Sequence, residues 1–470
     1  MSLFGAMLSG VSALNGQTQA LGAISDNISN VNTVGYRGTT TRFQSLVTAS
    51  TTATRYTPGG VLSAPLALVD KQGLIQSSAS PTDLALQGKG FMVVTNAASP
   101  ASTDERFFTR AGSFRPDAQG RLVNASGFFL QGWPINVTTG ALPSDLSSFT
   151  QMQTVNINTI NATSQATSSV AIQANLQSST ATNSSAATYV VGNIATGAVT
   201  ADFKRGMQIY DSLGQSHTLT LGAIKSATAN TWNYEIFVEP GTDLLAASHA
   251  TGNATGRVVA SGNLVFNSDG TIDTSTTDDA AITTMNDRTS TALTVNATTG
   301  IFSGLTLVWG TSVGASNSTI GFNVGANATT SGLTQFDGAS QLFGTTIDGT
   351  LYGTISGVTV ASTGIVTARF DNGLTKNIYK IPIATFPNPS GLEGTSGNVY
   401  SSTANSGSVT IKQAGTGGAA EVAVSALEAS TTDLAEEFSQ MIVTQRAYTA
   451  STKIITTADE MLDELVRIKR

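Results

Sequence analysis

The 470-residue sequence predicts a mixed, mainly β fold, with all-β inner and outer domains nested between N- and C-terminal helices that pair as a coiled-coil-like inner domain. Three observations predict it. Residues 3–31 and 424–469 carry apolar side chains at alternating three- and four-residue spacing, the helical period. The long stretch between them is a series of short apolar alternations punctuated by Gly, Ser, Thr and Asn, which reads as strands and turns. Two Ser/Thr/Ala/Asn-rich segments, 161–200 and 273–335, flank a more structured piece, as an inserted domain would require. In a self-contained domain, terminal helices fold back on the nearest core. These read as built to pair with each other and with other copies, which points to a polymer subunit rather than an enzyme.

The first helix places Phe4, Met7, Val11, Leu14, Thr18, Leu21, Ser25 and Ile28 on one seam, with Leu8 and Ile24 widening it. Gly5, Gly10, Gly16 and Gly22 interrupt it, each costing about 1 kcal/mol against Ala in a helix interior. Such a helix is marginal in isolation and needs partners. In the last helix the seam runs through Leu427, Leu434, Phe438, Met441, Tyr448, Ile455, Leu462 and Val466, with Thr431, Gln445, Thr452, Asp459 and Lys469 as its polar members. Asp433, Glu436 and Glu437 lie early and Arg467, Lys469 and Arg470 late, which suits the helix dipole. The polar seam positions Gln445, Thr452 and Asp459 fit a face that also meets other subunits or a wet lumen. A helical hairpin closed within one chain is the alternative that periodicity leaves open.

Between the helices, Phe91-Met92-Val93-Val94 follows Gly88-Lys89-Gly90, and Arg106-Phe107-Phe108-Thr109 precedes Gly112. Asp371-Asn372-Gly373 between Val366–Phe370 and Asn377–Tyr379 is a strong hairpin turn, and Asn267-Ser268-Asp269-Gly270 reads the same way. The expected organisation is a helical core of 1–30 and 424–470, connecting arms of 31–76 and 413–423, an inner β domain of 77–169 and 337–412, and an inserted outer β domain of 170–336.

Charged residues make up only 11% and the net charge is −7, so no basic footprint for nucleic acid exists. No apolar run is long enough for a membrane helix. Met1-Ser2-Leu3-Phe4-Gly5 carries no Lys or Arg and the first charge is Asp26, so no secretory signal is expected. The absence of cysteine excludes disulfides and thiolate metal sites. It fits chance usage, or a chain that must stay free of cross-links during export. No catalytic, cofactor or metal site is read. His217 and His249 sit in no metalloprotease pattern, and His217 decorates a strand rather than forming a catalytic dyad. Gly88-Lys89-Gly90 lacks phosphate-loop spacing, and the loop at Asn267 lacks the bidentate Glu of a calcium site.

Ser12–Gln17 and Ile24–Arg37, ending in Thr33-Val34-Gly35-Tyr36-Arg37, resemble the opening signature of the flagellar rod/hook axial proteins. Leu427–Ser430, Asp433-Leu434, Glu437-Phe438, Met441-Ile442 and Gln445–Tyr448 match the closing motif of that family, with Ser451 where Asn is usual and Thr431-Thr432 in place of Asn-Val. Asp83–Phe91, Phe108–Phe114 and Leu130–Trp133 are similar to rod and hook subunits alike. Asp211–His217, Trp232–Tyr234 and Ile383–Leu392 are similar to the hook proteins within it. The match is weak over 270–335.

The resemblance implies a structural, non-enzymatic subunit that polymerises outside the cell into a curved, flexible tube, passing motor torque from rod to filament as a universal joint. It implies export through the flagellar type III apparatus without a cleaved signal. Implied neighbours are other copies, the distal rod subunit, the hook cap and the hook–filament junction protein, with no nucleic acid and no membrane insertion. A different axial subunit, a secreted β-rich adhesin and an extracellular enzyme such as a peptidoglycan hydrolase are the alternatives. A disordered helix that folds on assembly would limit premature association, because ordering costs entropy that only burial of the seam offsets.

Overall fold

The computed structural model describes residues 3–46, 59–101, 103–160, 162–245, 257–275, 294–296 and 298–468. His249, Lys469, Arg470 and part of the 270–335 insertion lie outside the described residues. The chain divides into two compact units. The first comprises Met1–Ile160, Ser356–Arg369 and Thr375–Arg470, and the second Asn161–Ile355 with Phe370–Leu374.

In the first unit, helix α1 (Leu3–Ser29) and helix α2 (Leu434–Ile468) pair with each other. The β body is built around Phe91–Thr95, whose five residues are all buried. This strand reads as a continuous apolar run because both its faces are covered. It pairs antiparallel with Phe107–Thr109, Phe129–Pro134 and Pro382–Thr385. The rings of Phe108 and Phe386 meet edge-on at 4.8 Å in the core beneath, with Trp133 and Tyr400 beside them. The Asp371-Asn372-Gly373 turn joins Ile365–Phe370 to Thr375–Lys380 as expected, with Gly373 at φ +84°.

Three boundaries differ from expectation. Helix α2 begins at Leu434, not 424, because Glu421–Val424 and Ala426–Glu428 are strands paired with Leu84–Gln87 and Ile75–Ser77. Leu427 is therefore a strand residue opposite Gln76, and 413–423 belongs to the β body rather than to an arm. Residues 31–76 are no plain connector either. Thr39–Ser45 and Val61–Ala67 form an antiparallel ribbon that lies on α1, where the Phe43 ring fills the space over Gly16 and Ser63 Oγ donates to Gln19 Oε1 at 2.6 Å.

The second unit buries two sheets against each other. Phe203–Tyr210, Ser216–Lys225, Thr231–Glu239 and Arg257–Val265 form an antiparallel meander. The other sheet runs through Thr294–Asn296, Ile301–Leu307, Ser318–Asn323 and Ser169–Asn175, and Gln341–Ile347 joins the last of these. Trp232, Tyr234, Phe302 and Phe322 fill the common core. Pairing of Ser169–Asn175 with Gln341–Ile347 carries the unit beyond the expected 170–336 at both ends.

The opposite face of the meander holds a loop through a buried carboxylate. Glu235 accepts from Tyr189 Oη at 2.9 Å, Gly192 N at 2.6 Å and Ala195 N at 2.8 Å. Burial raises its pKa above the usual carboxylate range, and these donors only partly oppose that. A raised folded-state pKa means that the folded form binds the proton more tightly. Its stabilising contribution is therefore present below the unfolded pKa and lost as pH rises through the folded one. In denaturant unfolding of wild type and Glu235→Gln, the stability of wild type relative to the variant should fall from mildly acid to neutral pH.

Candidate assembly interface

The two helices run antiparallel, with Gly10 of α1 over Ile455 of α2 and Asn27 against Glu437 at the other end. A Cβ at position 10 would stand 3.0 Å from Ile455 Cγ1, so glycine permits this close approach. The face that α1 buries is Gly10, Gly16, Ala20, Ile24 and Asn27, and α2 buries Thr444, Ser451 and Ala458 at strict seven-residue spacing. Thr444 Oγ1 donates to Gln440 O at 2.8 Å and Ser451 Oγ to Ala447 O at 2.9 Å, so these hydroxyls are satisfied inside their own helix.

The intramolecular seam is thus made mainly of small residues, and the large apolar side chains are left on the outer surfaces. Phe4 is 74% exposed, Val11 53%, Phe438 50% and Val466 66%. Leu434, Tyr448 and Leu462 are exposed as well, while Met7, Leu14, Leu21, Ile28, Met441 and Ile455 are half-buried. Leu8, Ile442, Val443, Ile454 and Met461 extend the exposed set. Gln445, Thr452 and Asp459, the polar seam members of the sequence reading, are exposed. The seam that α2 buries lies one residue earlier at each of these positions, because the partner face of α1 is too small to require bulky knobs.

A polar knot fixes the base of the pair. Asn27 Oδ1 accepts from Thr39 N at 2.8 Å, and its Nδ2 donates to Thr39 O at 2.9 Å and Glu437 Oε1 at 2.8 Å. Asp433 caps α2 by accepting from Ala435 N at 2.8 Å. Beside them lies a fully buried ionic cluster. Glu428 Oε1 takes Arg37 Nη2 at 2.7 Å and Gly73 N at 2.7 Å, and Oε2 takes Arg110 Nη1 at 3.3 Å. The side chains of Arg37 and Glu428 are 0% exposed and that of Arg110 is 4%. Arg110 Nη2 also donates to Gly88 O at 2.6 Å, and its guanidinium lies 5.5 Å from the Phe91 ring centroid. Burial lowers the Arg110 pKa and the Glu428 carboxylate opposes this. Gly35 donates to Glu428 O at 2.7 Å from φ +67°, and a Cβ there would lie 2.8 Å from the backbone of Arg110 and Ala111.

Sequence reasoning did not single out Asn27, Arg37, Arg110 or Glu428 as a cluster. The usable signal was their polarity in a chain with few charges, together with Gly35-Tyr36-Arg37 directly after a predicted helix.

His217 lies on a strand, as expected, but it is also clamped. Its Nδ1 is 2.7 Å from Asp243 Oδ2, its Nε2 is 3.4 Å from Asp211 Oδ2, and its ring stacks on Trp309 at 4.2 Å. The turn at Asn267 is closed by Gly270 N to Asn267 O at 3.0 Å, with Asp269 Oδ1 accepting from Thr271 N at 2.9 Å.

Four family models match the chain in order. "Flagella basal body rod protein" covers 7–37, "Flagellar hook protein FlgE/F/G D1 domain" 85–175, "Flagellar basal body protein FlaE D2 domain" 194–350 and "Flagellar basal body rod FlgEFG protein C-terminal" 423–468. The chain is similar to the flagellar hook protein FlgE of Caulobacter vibrioides, at 31% identity over 100% of both chains, and to that of Rhizobium meliloti, also at 31% over 100% of both. That of Treponema pallidum is 30% identical over 99% of each.

The chain belongs to the flagellar hook protein family. The two terminal matches, 7–37 and 423–468, are the segments that Arg37 and Glu428 join in space. Among solved structures, the crystal structure of Helicobacter pylori flagellar hook protein FlgE2 is similar at a TM-score of 0.42 and 14% identity, over 75% of this chain and 100% of that one.

Replacing Glu428 by Gln leaves two buried guanidinium groups without their carboxylate. Removing one partner of a buried pair costs about 3–5 kcal/mol, so urea unfolding of E428Q should show a loss of that order. The surface pair Lys204–Glu239, at 2.8 Å and roughly half exposed, should give under about 1 kcal/mol when Lys204 is replaced by Met.

Proposed function

We infer that this hook-family subunit assembles through α1 and α2 into the inner tube of the flagellar hook, and that the tube carries torque from rod to filament. The observation that carries this reading is the inversion of the helix pair. Small residues face inward, and Phe4, Leu8, Val11, Phe438, Ile442 and Val443 face outward. Fully burying a large apolar side chain contributes about 1.5–3 kcal/mol. A stripe of such residues on each helix can therefore stabilise association that the monomer leaves incomplete. The polymer-interface residues of the sequence reading, from Phe4 to Ile28 and from Leu434 to Val466, belong to this proposal. Leu427 does not, since it sits in a strand of the body.

The same reading supplies the partners. Copies of the chain contact one another along the tube, the distal rod subunit and the hook–filament junction protein lie at its ends, and the cap covers it during growth. Among the described residues no helix is long and apolar enough to cross a membrane. Export through the type III apparatus without a cleaved leader fits a chain whose helices gain much of their burial only in the polymer. The role is structural, with no catalytic step.

Val11→Asp and Val443→Asp test it directly, because both side chains are mostly exposed in the single chain. Each variant should keep the monomer's circular dichroism and melting temperature. Each should fail to form tubes in electron micrographs under conditions in which the full-length wild type does. Normal tubes from both variants would refute helix-driven assembly.

A further inference from the structure

The second unit holds an ionic contact that assembly does not call for. His217, Leu219 and Leu221 alternate along Ser216–Lys225 on the face toward the common core. His217 ends that row, with its side chain 4% exposed and both ring nitrogens facing carboxylates. Nδ1 lies 2.7 Å from Asp243 Oδ2, and Nε2 lies 3.4 Å from Asp211 Oδ2. The Asp211 side chain is 0% exposed and cannot turn away, because its Oδ1 already accepts from Leu213 N and Gln215 N at 2.8 Å each. Asp243 sits on an anchored backbone, donating to Pro240 O at 3.1 Å and accepting from Gly310 N at 2.7 Å.

A neutral imidazole carries one N–H and one lone pair. One of the two contacts would then set a lone pair against a carboxylate oxygen. Asp211 Oδ2 is the exposed point of that conflict, since the ring is its one described partner and a buried oxygen left without a donor is costly. The imidazolium donates from both nitrogens and meets no such conflict. Trp309 favours the same form, stacking on the ring at 4.2 Å, because an indole face attracts a cation. The residue opposite His217 on the neighbouring strand is Ile209. Lys204 and Glu239 pair with each other on the other face of the sheet, beside Thr220, and Tyr210 opposes Ser216 there. The contact also ties the two sheets. His217 and Asp243 belong to the meander and its exit, and Trp309 to the chain leaving Ile301–Leu307 of the other sheet. Leu245 N donates to Val308 O at 2.8 Å and Trp309 Nε1 to Ser318 Oγ at 3.0 Å. We propose that Asp211, His217 and Asp243 form a proton-operated latch between the two sheets, closed while the ring is an imidazolium and loosened when it loses a proton. The latch lies within the second unit and requires no second copy.

The test uses nuclear magnetic resonance of the full-length chain with isotopically labelled histidine. His249 is the only other histidine, so H249Q leaves one ring to read. An ordinary imidazole is about nine-tenths neutral at about pH 7.5, and protons on both nitrogens of His217 are expected there. D211N should remove one of them, because the amide keeps Oδ1 for Leu213 and Gln215 and offers the neutral ring a donor for Nε2. A proton held by the folded form but lost by the unfolded chain near about pH 6.5 stabilises at and below that pH, and the contribution fades as pH rises. In urea unfolding, the unfolding constant of wild type relative to D211N should therefore rise about tenfold or more from about pH 6.5 to 9. The ratio should stay flat when both chains also carry H217Q. Should D211N lose its near-ultraviolet dichroism, D243N, at the more exposed carboxylate, takes its place. A neutral ring in the wild-type fold at about pH 7.5, or a ratio that does not move with pH, overturns the proposal.

Discussion

A single buried carboxylate decides how the first unit is put together. Glu428 has lost its water entirely, and a charge in that position is tolerable only when paired and hydrogen-bonded. Its partners come from three distant parts of the chain: Arg37 just beyond α1, Gly73 before the β body and Arg110 inside it. Satisfying one side chain therefore brings both ends of the polypeptide to one place on the body. The backbone of the same residue accepts from Gly35, which fixes the path by which α1 leaves the knot.

From that base the helices extend side by side in close contact, with few bulky apolar side chains between them. Gly10, Ala20, Thr444 and Ser451 contribute little apolar area, and the hydroxyls on α2 are spent on carbonyls of their own helix. The body has a core of its own around Phe91, Phe108 and Phe386. This division separates two tasks that conflict in an assembling protein. Solubility before assembly needs a stable folded unit, and assembly needs apolar surface still to be buried. In the proposed assembly the first falls to the body and the second to the outer faces of the helix pair, so one hook-family chain meets both demands.

The second unit shows a different economy. Its two sheets share a core of Trp232, Tyr234, Phe302 and Phe322, and its buried polar groups are local clamps. Glu235 pins a loop, and His217 is held between Asp211 and Asp243 over Trp309. The motif around Asp211 and His217 thus has a structural use. Asp211 Oδ1 accepts from Leu213 N and Gln215 N at 2.8 Å each, closing the turn that delivers His217 to the clamp.

Much of this was legible in the amino-acid order. The helical period at each end, the β alternations between them, the hairpin at Asp371–Gly373 and the pairing of the two ends follow from local spacing and turn chemistry, which act over a few residues. The absence of cysteine and the scarcity of charge are likewise sequence properties. The tertiary structure decided what depends on distant partners. The apolar spacing at Leu427 reads as helix, but pairing with Ile75–Ser77 and burial of Glu428 hold it as strand. On α2 the buried positions Thr444, Ser451 and Ala458 lie one residue before Gln445, Thr452 and Asp459, because periodicity locates a stripe of large residues, whereas a close seam selects small ones. Parallel pairing of Ser169–Ala171 with Gly321–Asn323 leaves no local trace at all. The ionic cluster had the same character. Each of its charges is visible in the sequence, but only the fold brings them within hydrogen-bonding distance, and only burial makes their pairing obligatory.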